Sequence, residues 1–352
     1  MNKIQTISIN GRSIGNGNPP YIIAEMSANH NGSIDTAIEL IQCAKNAGAD
    51  AIKIQTYRPE TMTLDSDLSD FQITEGLWKG KTLYELYQWA QTPWEWHERL
   101  FSKAEELGIT IFSSPFDNSA VDLLEDLNTP AYKIASFELV DLPLIQYVAS
   151  TKKPMIMSTG MANELEIQEA IGTATDAGCT QIALLHCVSA YPAEASSYNL
   201  VTLSDMRKKF GVVTGLSDHT PDNATAIAAV AIGASIIEKH VTLDKSGDGP
   251  DDSFSINPKE LTALVNNAGT AWEALGHVSY KRQPAEDENI KFRRSLYFVQ
   301  DIQKGTVLTE QHIKSFRPGY GLAPKHYWSV LGSKLNKDVR IGDRVEWYAF
   351  EN

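Results

Sequence analysis

The chain has 352 residues, 42% hydrophobic and 21% charged, the balance of a folded protein whose length suits one barrel-sized domain and a small companion. A net charge of -13 argues against nucleic acid as a partner, because phosphate backbones call for a basic surface. No apolar run approaches the roughly 20 residues that span a bilayer, and the N-terminal stretch lacks a signal-type apolar core, so the expectation is a cytoplasmic protein with no membrane partner. An anionic small molecule stays open as a ligand, since a few lysines focus positive field inside an acidic protein. The three cysteines, Cys43, Cys179 and Cys187, have no C-x-x-C spacing and read as small buried hydrophobes.

Along the chain, short apolar runs of strand type end in polar residues. They are YIIAE (21–25), DAIKIQ (50–55), TIFSS (110–114), AYKIAS (131–136), MIMST (155–159), IALLHC (182–187), VTGLSDH (213–219) and SIIEKH (235–240). Their near-continuous apolar character predicts parallel strands covered on both faces. Helical periodicity predicts helices over 34–47, 94–107, 164–177 and 222–232, closed by Gly48, Gly108, Gly178 and Gly233, and a last helix over 258–275. Eight such units, with no G-x-G-x-x-G after the first strand, favour a closed (β/α)8 TIM barrel in the α/β class over a dinucleotide-binding sheet. The stretch 57–92 is too long for a simple loop, and its Tyr57, Phe71, Trp78, Tyr84, Tyr87 and Trp89 make it a candidate substrate wall or lid. The expected boundaries are a catalytic barrel over 1–277, a polar linker over 278–290 and a small domain of short strand-like pieces over 291–352.

In a barrel the strand C-termini surround the active site. Here they carry Glu25, Lys53 with Gln55, Ser114, Lys133 with Ser136, Ser158 with Thr159, His186, Ser217 with His219, and Glu238 with His240. Buried polar groups cost free energy unless paired, so this convergence points to chemistry rather than stability. His219 and His240 end neighbouring strands, where two imidazoles can share a divalent cation and leave positions open for a Lewis acid's substrate. The bland alternative is a pair of core histidines. His186 is a weaker third candidate, and His97 reads as structural. Lys53 and Lys133 imply an anion site with serine donors, or else ion pairs with Glu25 or Glu238. Lys133 and Ser136 differ in strand parity, so one of them lies past the strand end or a bulge intervenes. Glu25 is a candidate general base. Asp251 and Asp252, in the loop 246–255, face the barrel mouth or solvent.

At these residues the chain resembles the sialic acid synthase family of phosphoenolpyruvate-dependent nonulosonic acid synthases. The segments AEMSANHNG (24–32), IKIQTY (52–57), YKIASFEL (132–139), MSTGMA (157–162), LLHCVSAYP (184–192), GLSDHT (215–220), EKHVT (238–242), GPDDSFS (249–255) and RPGYGLAPK (317–325) carry the resemblance. It implies a TIM barrel followed by an antifreeze-like SAF domain of β-clip type. It also implies condensation of phosphoenolpyruvate with an N-acetylated amino sugar in a domain-swapped homodimer. The roles it implies are Lys53, Lys133, Ser136, Ser158 and Ser217 on phosphoenolpyruvate, with Gln55 and Glu25 lining the reacting centre. His219 and His240 would act in catalysis as ligands of Mn2+ or Mg2+. Ser189, Tyr191 and Asp251 would line the substrate site, and Arg317 would reach the sugar from the other subunit. The sialic branch commonly has Asn in place of Ser189. That departure, with LWKGKTLYELY (77–87) and TPWEW (92–96), implies a different acceptor, 2,4-diacetamido-2,4,6-trideoxy-altrose. Neuraminic and legionaminic acceptors and a non-catalytic carbohydrate-binding barrel remain as alternatives.

Overall fold

The computed structural model describes residues 6–351. The chain divides into two compact units, the larger ending at Gly276 and the smaller beginning at His277.

In the larger unit eight parallel strands close into a barrel. They are β1 (Tyr21–Glu25), β2 (Ala51–Thr56), β3 (Thr110–Pro115), β4 (Tyr132–Ile134), β5 (Met155–Ser158), β6 (Ile182–Cys187), β7 (Val213–Asp218) and β8 (Ile236–His240), with β8 pairing back onto β1. All eight coincide with the apolar runs to within a residue or two. The largest difference is β4, which stops at Ile134 before a 3-10 turn at Ser136–Glu138. That settles the parity conflict: Lys133 is on the strand and Ser136 beyond it.

The helices Ile34–Ala47 and His97–Leu107 end at Gly48 and Gly108 in the left-handed region (φ 83° and 66°), where glycine avoids the Cβ clash. Helices Glu164–Asp176, Ala224–Ala231 and Pro258–Leu275 also lie where periodicity placed them. Three more, Asn118–Asp126, Leu142–Ser150 and Thr202–Phe210, complete the outer ring without a sequence signal strong enough to announce them.

A hairpin, Ile7–Ile9 against Arg12–Ile14, was not anticipated. Asn10 and Gly11 both take positive φ, as a two-residue hairpin turn requires. Its Ile7, Ile9 and Ile14 pack on Tyr21, Ala51, Ala131, Val213 and Ile236 at the beginnings of the strands. The hairpin therefore plugs the N-terminal end of the barrel, and the strand C-termini form its open end. Among the described residues no helix is long and apolar enough to cross a membrane.

In the smaller unit β9 (Ser295–Phe298) pairs antiparallel with β10 (Ile313–Phe316). The core comprises Leu296, Phe298, Ile302, Leu308, Ile313, Val330, Leu335, Val339 and Val345. The other strand-like pieces expected there meet only through isolated bridges such as Val307 with Lys334. The stretch read as a linker includes most of a 3-10 helix, Pro284–Phe292.

Candidate active site

A cavity of about 290 Å³ lies among the C-terminal ends of the strands. It brings together Glu25, Lys53, Gln55, Lys133, Ser136, Ser158, Tyr191, Ser217, His219, His240 and Asp251. Two expected site residues are elsewhere. Ser189 does not line the cavity; its Oγ, with that of Ser136, fills the space where a side chain on Gly160 would begin. Arg317 belongs to the smaller unit, exposed and just past β10.

The floor is a network of four buried charges. Lys53 Nζ is 2.8 Å from Glu25 Oε2 and 3.6 Å from Glu238 Oε2. Lys133 Nζ is 3.5 Å from Glu238 Oε1. Ser217 donates to Glu238 (3.1 Å), and Lys53 donates to Ser114 (3.2 Å). The lysines are thus ion-paired as well as cavity-facing, and Glu238, noted in the sequence as a strand-end residue and a pairing partner, is the hub. Burial works against the charged form of both carboxylates. At Glu238, Lys133 and Lys53 outweigh it and hold the carboxyl below its ordinary range. At Glu25 burial wins over Lys53, and the Glu238 charge adds to it, so this carboxyl sits above the ordinary range. Gln55 orients Glu25 by donating to its Oε1 (3.2 Å) while also donating to Ser27 Oγ (2.9 Å). A carboxylate with raised proton affinity, held in one orientation, is equipped as a general base.

The two histidines face each other with ring centroids 5.4 Å apart. His219 Nδ1 donates to the Val188 carbonyl at 2.8 Å, and although burial lowers its pKa, Cys187, that carbonyl and Glu238 raise it above the ordinary range. His240 Nδ1 is buried, has no hydrogen-bond partner and lies 3.8 Å from Asp251 Oδ2. Burial, with the nearby positive charges, holds His240 well below its ordinary pKa, so it is neutral. His240 with its orphaned buried nitrogen, and His219 once its Nε2 is free of a proton, suit a divalent cation that takes its remaining ligands from substrate and water. Among the described residues no group of three or more His, Cys, Asp or Glu side chains forms a complete metal cage. His186 does not join them: its Nε2 is bonded to the Tyr198 carbonyl and it does not line the cavity. His97 is structural, held between Thr56 Oγ1 (2.8 Å) and the Pro93 carbonyl (3.2 Å).

The 57–92 stretch supplies one wall, with two short helices, Pro59–Met62 and Leu83–Ala90. Tyr57, Met62, Trp78, Leu86 and Tyr87 line the cavity, whereas Phe71, Tyr84 and Trp89 do not. Trp78 Nε1 donates to the Pro250 carbonyl (3.2 Å), joining this wall to the loop that carries Asp251. Sequence reasoning missed Ser27, Cys187, Phe116, Phe137 and Glu138, which also line the cavity. Cys187 was read as a plain hydrophobe although it shares the end of β6. Glu238, named with His240 among the strand ends, does line the cavity, since it stands two residues before His240 and therefore on the same face of β8.

Lysines, carboxylates and imidazoles converging at the open end of a parallel barrel define a barrel enzyme. The chain belongs to the NeuB family, whose model matches residues 40–280, and a SAF domain matches residues 293–351. It is 47% identical to the pseudaminic acid synthase of Helicobacter pylori, across 92% of this chain and 95% of that protein. It is 44% identical to the pseudaminic acid synthase of a Campylobacter jejuni strain, across 95% and 98%. Among solved structures it resembles the N-acetylneuraminic acid synthetase of Leptospira borgpetersenii, crystallised with citrate. That likeness has a TM-score of 0.73 and 31% identity over 81% of this chain and 95% of the other.

Proposed function

We propose that this enzyme condenses phosphoenolpyruvate with 2,4-diacetamido-2,4,6-trideoxy-altrose and water to give pseudaminic acid and phosphate. The observation that carries the reading is its likeness, over nearly the whole of both chains, to enzymes named pseudaminic acid synthase. Lys53, Lys133, Ser136, Ser158 and Ser217 cradle the phosphate and carboxylate, with Glu238 balancing the ammonium charges before the anion arrives. C3 of the enol attacks the sugar aldehyde and positive charge develops at C2 of the former phosphoenolpyruvate. Glu25, aligned by Gln55, takes a proton from the water that adds there, and the tetrahedral intermediate loses phosphate by C–O cleavage. His219 and His240 would hold Mn2+ or Mg2+, which supplies Lewis-acid polarisation of the aldehyde when bound. Tyr191 and Asp251 contact the sugar, and Ser189, beside Ser136 and Cys187, belongs to the same substrate site. The apolar faces of Trp78, Tyr87, Leu86 and Met62 suit a sugar with a methyl group at C6. Arg317 reaches the sugar from the second copy in a domain-swapped homodimer, and the enzyme acts in the cytoplasm.

The test is phosphate release from phosphoenolpyruvate with Mn2+ and one of three sugars: the diacetamido altrose, N-acetylmannosamine or the legionaminic precursor. The expected result is a kcat/KM at least about a hundredfold higher for the altrose. Equal or faster release with either competitor overturns the acceptor assignment. In the same assay Glu25→Gln is expected to lose turnover by about a hundredfold or more while still binding Mn2+. Full turnover would remove Glu25 from its role.

A further inference from the structure

His219 and His240 share a property that lies behind their rings. Each follows, along the chain, one member of a buried ion pair: Asp218 precedes His219 and Lys239 precedes His240. Side chains alternate along a strand. Ser217, His219, Glu238 and His240 line the cavity, so Asp218 and Lys239 stand on the reverse face, back to back with the imidazoles.

Lys239 Nζ lies 2.6 Å from Asp218 Oδ2, with side-chain exposures of 2% and 0%. Lys239 also donates to the Thr220 carbonyl at 2.7 Å. Asp218 Oδ1 in turn accepts from the Thr220 main-chain nitrogen (3.0 Å) and hydroxyl (2.8 Å). One ammonium on β8 therefore grips the β7 chain on both sides of His219. It does so where the ladder ends, since Asp218 opposite Lys239 is the last registered pair of β7 and β8. Past that point the two strands share no further registered pair among the described residues. The His219 main-chain nitrogen is secured separately, donating to Tyr198 Oη at 2.7 Å.

Stability is a weak reason for this arrangement. Desolvating two charges roughly cancels their attraction, and apolar replacements of similar volume are often neutral or stabilising. The better-attested use of a buried pair is to fix geometry. We infer that the Asp218–Lys239 ion pair is a positioning device that sets the separation of His219 and His240 and so the affinity of the site for a divalent cation. The inference rests on the metal role proposed above.

Mn2+ binding is measured by calorimetry and by the loss of the free-ion paramagnetic resonance signal, alongside thermal unfolding. The double variant Asp218→Leu/Lys239→Met exchanges the pair for apolar side chains. It is expected to melt at or above the wild-type temperature while its Mn2+ dissociation constant rises roughly tenfold or more. Thr220→Val, which removes one hydroxyl from the network, should weaken binding by a smaller factor, about threefold. Unchanged Mn2+ affinity in the folded double variant overturns the inference. If that variant does not fold, unchanged affinity in Thr220→Val does the same. His219→Ala and His240→Ala separate the two ideas. If either binds Mn2+ as tightly as the wild type, the metal reading itself fails. If both lose binding while the ion-pair variants keep it, the positioning idea alone fails.

Discussion

Glu138 gives up its proton at a higher pH than most glutamates do. Burial pushes its carboxyl up to about 7 from 4.5, with Lys133 opposing the shift and Asp141 adding to it. Its Oε2 is buried without a hydrogen-bond partner, on the wall of the cavity. The raised value has a definite sign for stability. Between 4.5 and about 7 the folded state binds more protons at this position than the unfolded state, so stability falls as pH rises through that window. Glu138→Gln removes that cost. The variant's melting temperature should gain on the wild type as pH rises, with little difference below 4.5 and the largest above about 7. A gap that stays flat across the range would remove the buried-carboxyl explanation. Nothing in the sequence distinguished Glu138 from a surface glutamate, because its burial comes from the 3-10 turn at Ser136–Glu138. Residues on the strands were legible for the opposite reason: Lys53, Gln55, Ser217 and His240 interrupt apolar runs, and the alternation of a strand fixes the face they share.

Among the elements, the barrel strands were readable because parallel strands covered on both faces need long apolar runs. The N-terminal hairpin also carries a signal, Asn10-Gly11 between Ile-Ser-Ile and Arg-Ser-Ile, but three-residue strands are too short for alternation to mark them. The 57–92 stretch shows where composition runs out. Its aromatic content pointed to a wall, while the helix Leu83–Ala90 decided which rings turn inward. On one side of that helix Leu86 and Tyr87 line the cavity and Tyr84 does not. Trp78→Ala and Tyr87→Ala should each raise the KM for the trideoxy sugar by about tenfold. Tyr84→Ala should leave it unchanged, and the opposite ranking would reassign the wall.

For the whole molecule, the sequence marked a change of character near residue 277 and the contacts divide at Gly276. A role for Arg317 was implied only by the resemblance that RPGYGLAPK (317–325) carries, because an exposed arginine just past a strand shows no chemistry of its own. The proposed swapped homodimer makes a definite claim. Lys53→Ala and Arg317→Ala chains should each be nearly inactive alone. Coexpressed, they should recover activity, since a mixed dimer contains one site with an intact barrel and an intact Arg317. Absence of recovery, with mixed dimers verified by mass, would place Arg317 in the site of its own chain or outside catalysis altogether.

The Asn10–Gly11 hairpin has a kinetic corollary. Ile7, Ile9 and Ile14 stopper one end of the barrel, so the reaction vessel is a cul-de-sac, and whatever enters must leave by the same door. Lys53 and Lys133 lie at its deep end, almost fully shielded, while Trp78 stands nearer the entrance and only partly covered. With phosphoenolpyruvate on the lysines and the sugar against the tryptophan, the second guest blocks the first. Under that proposed placement, addition is expected to be compulsory in order, phosphoenolpyruvate before sugar, and initial-rate kinetics should show an excess of sugar slowing the enzyme by shutting the corridor early.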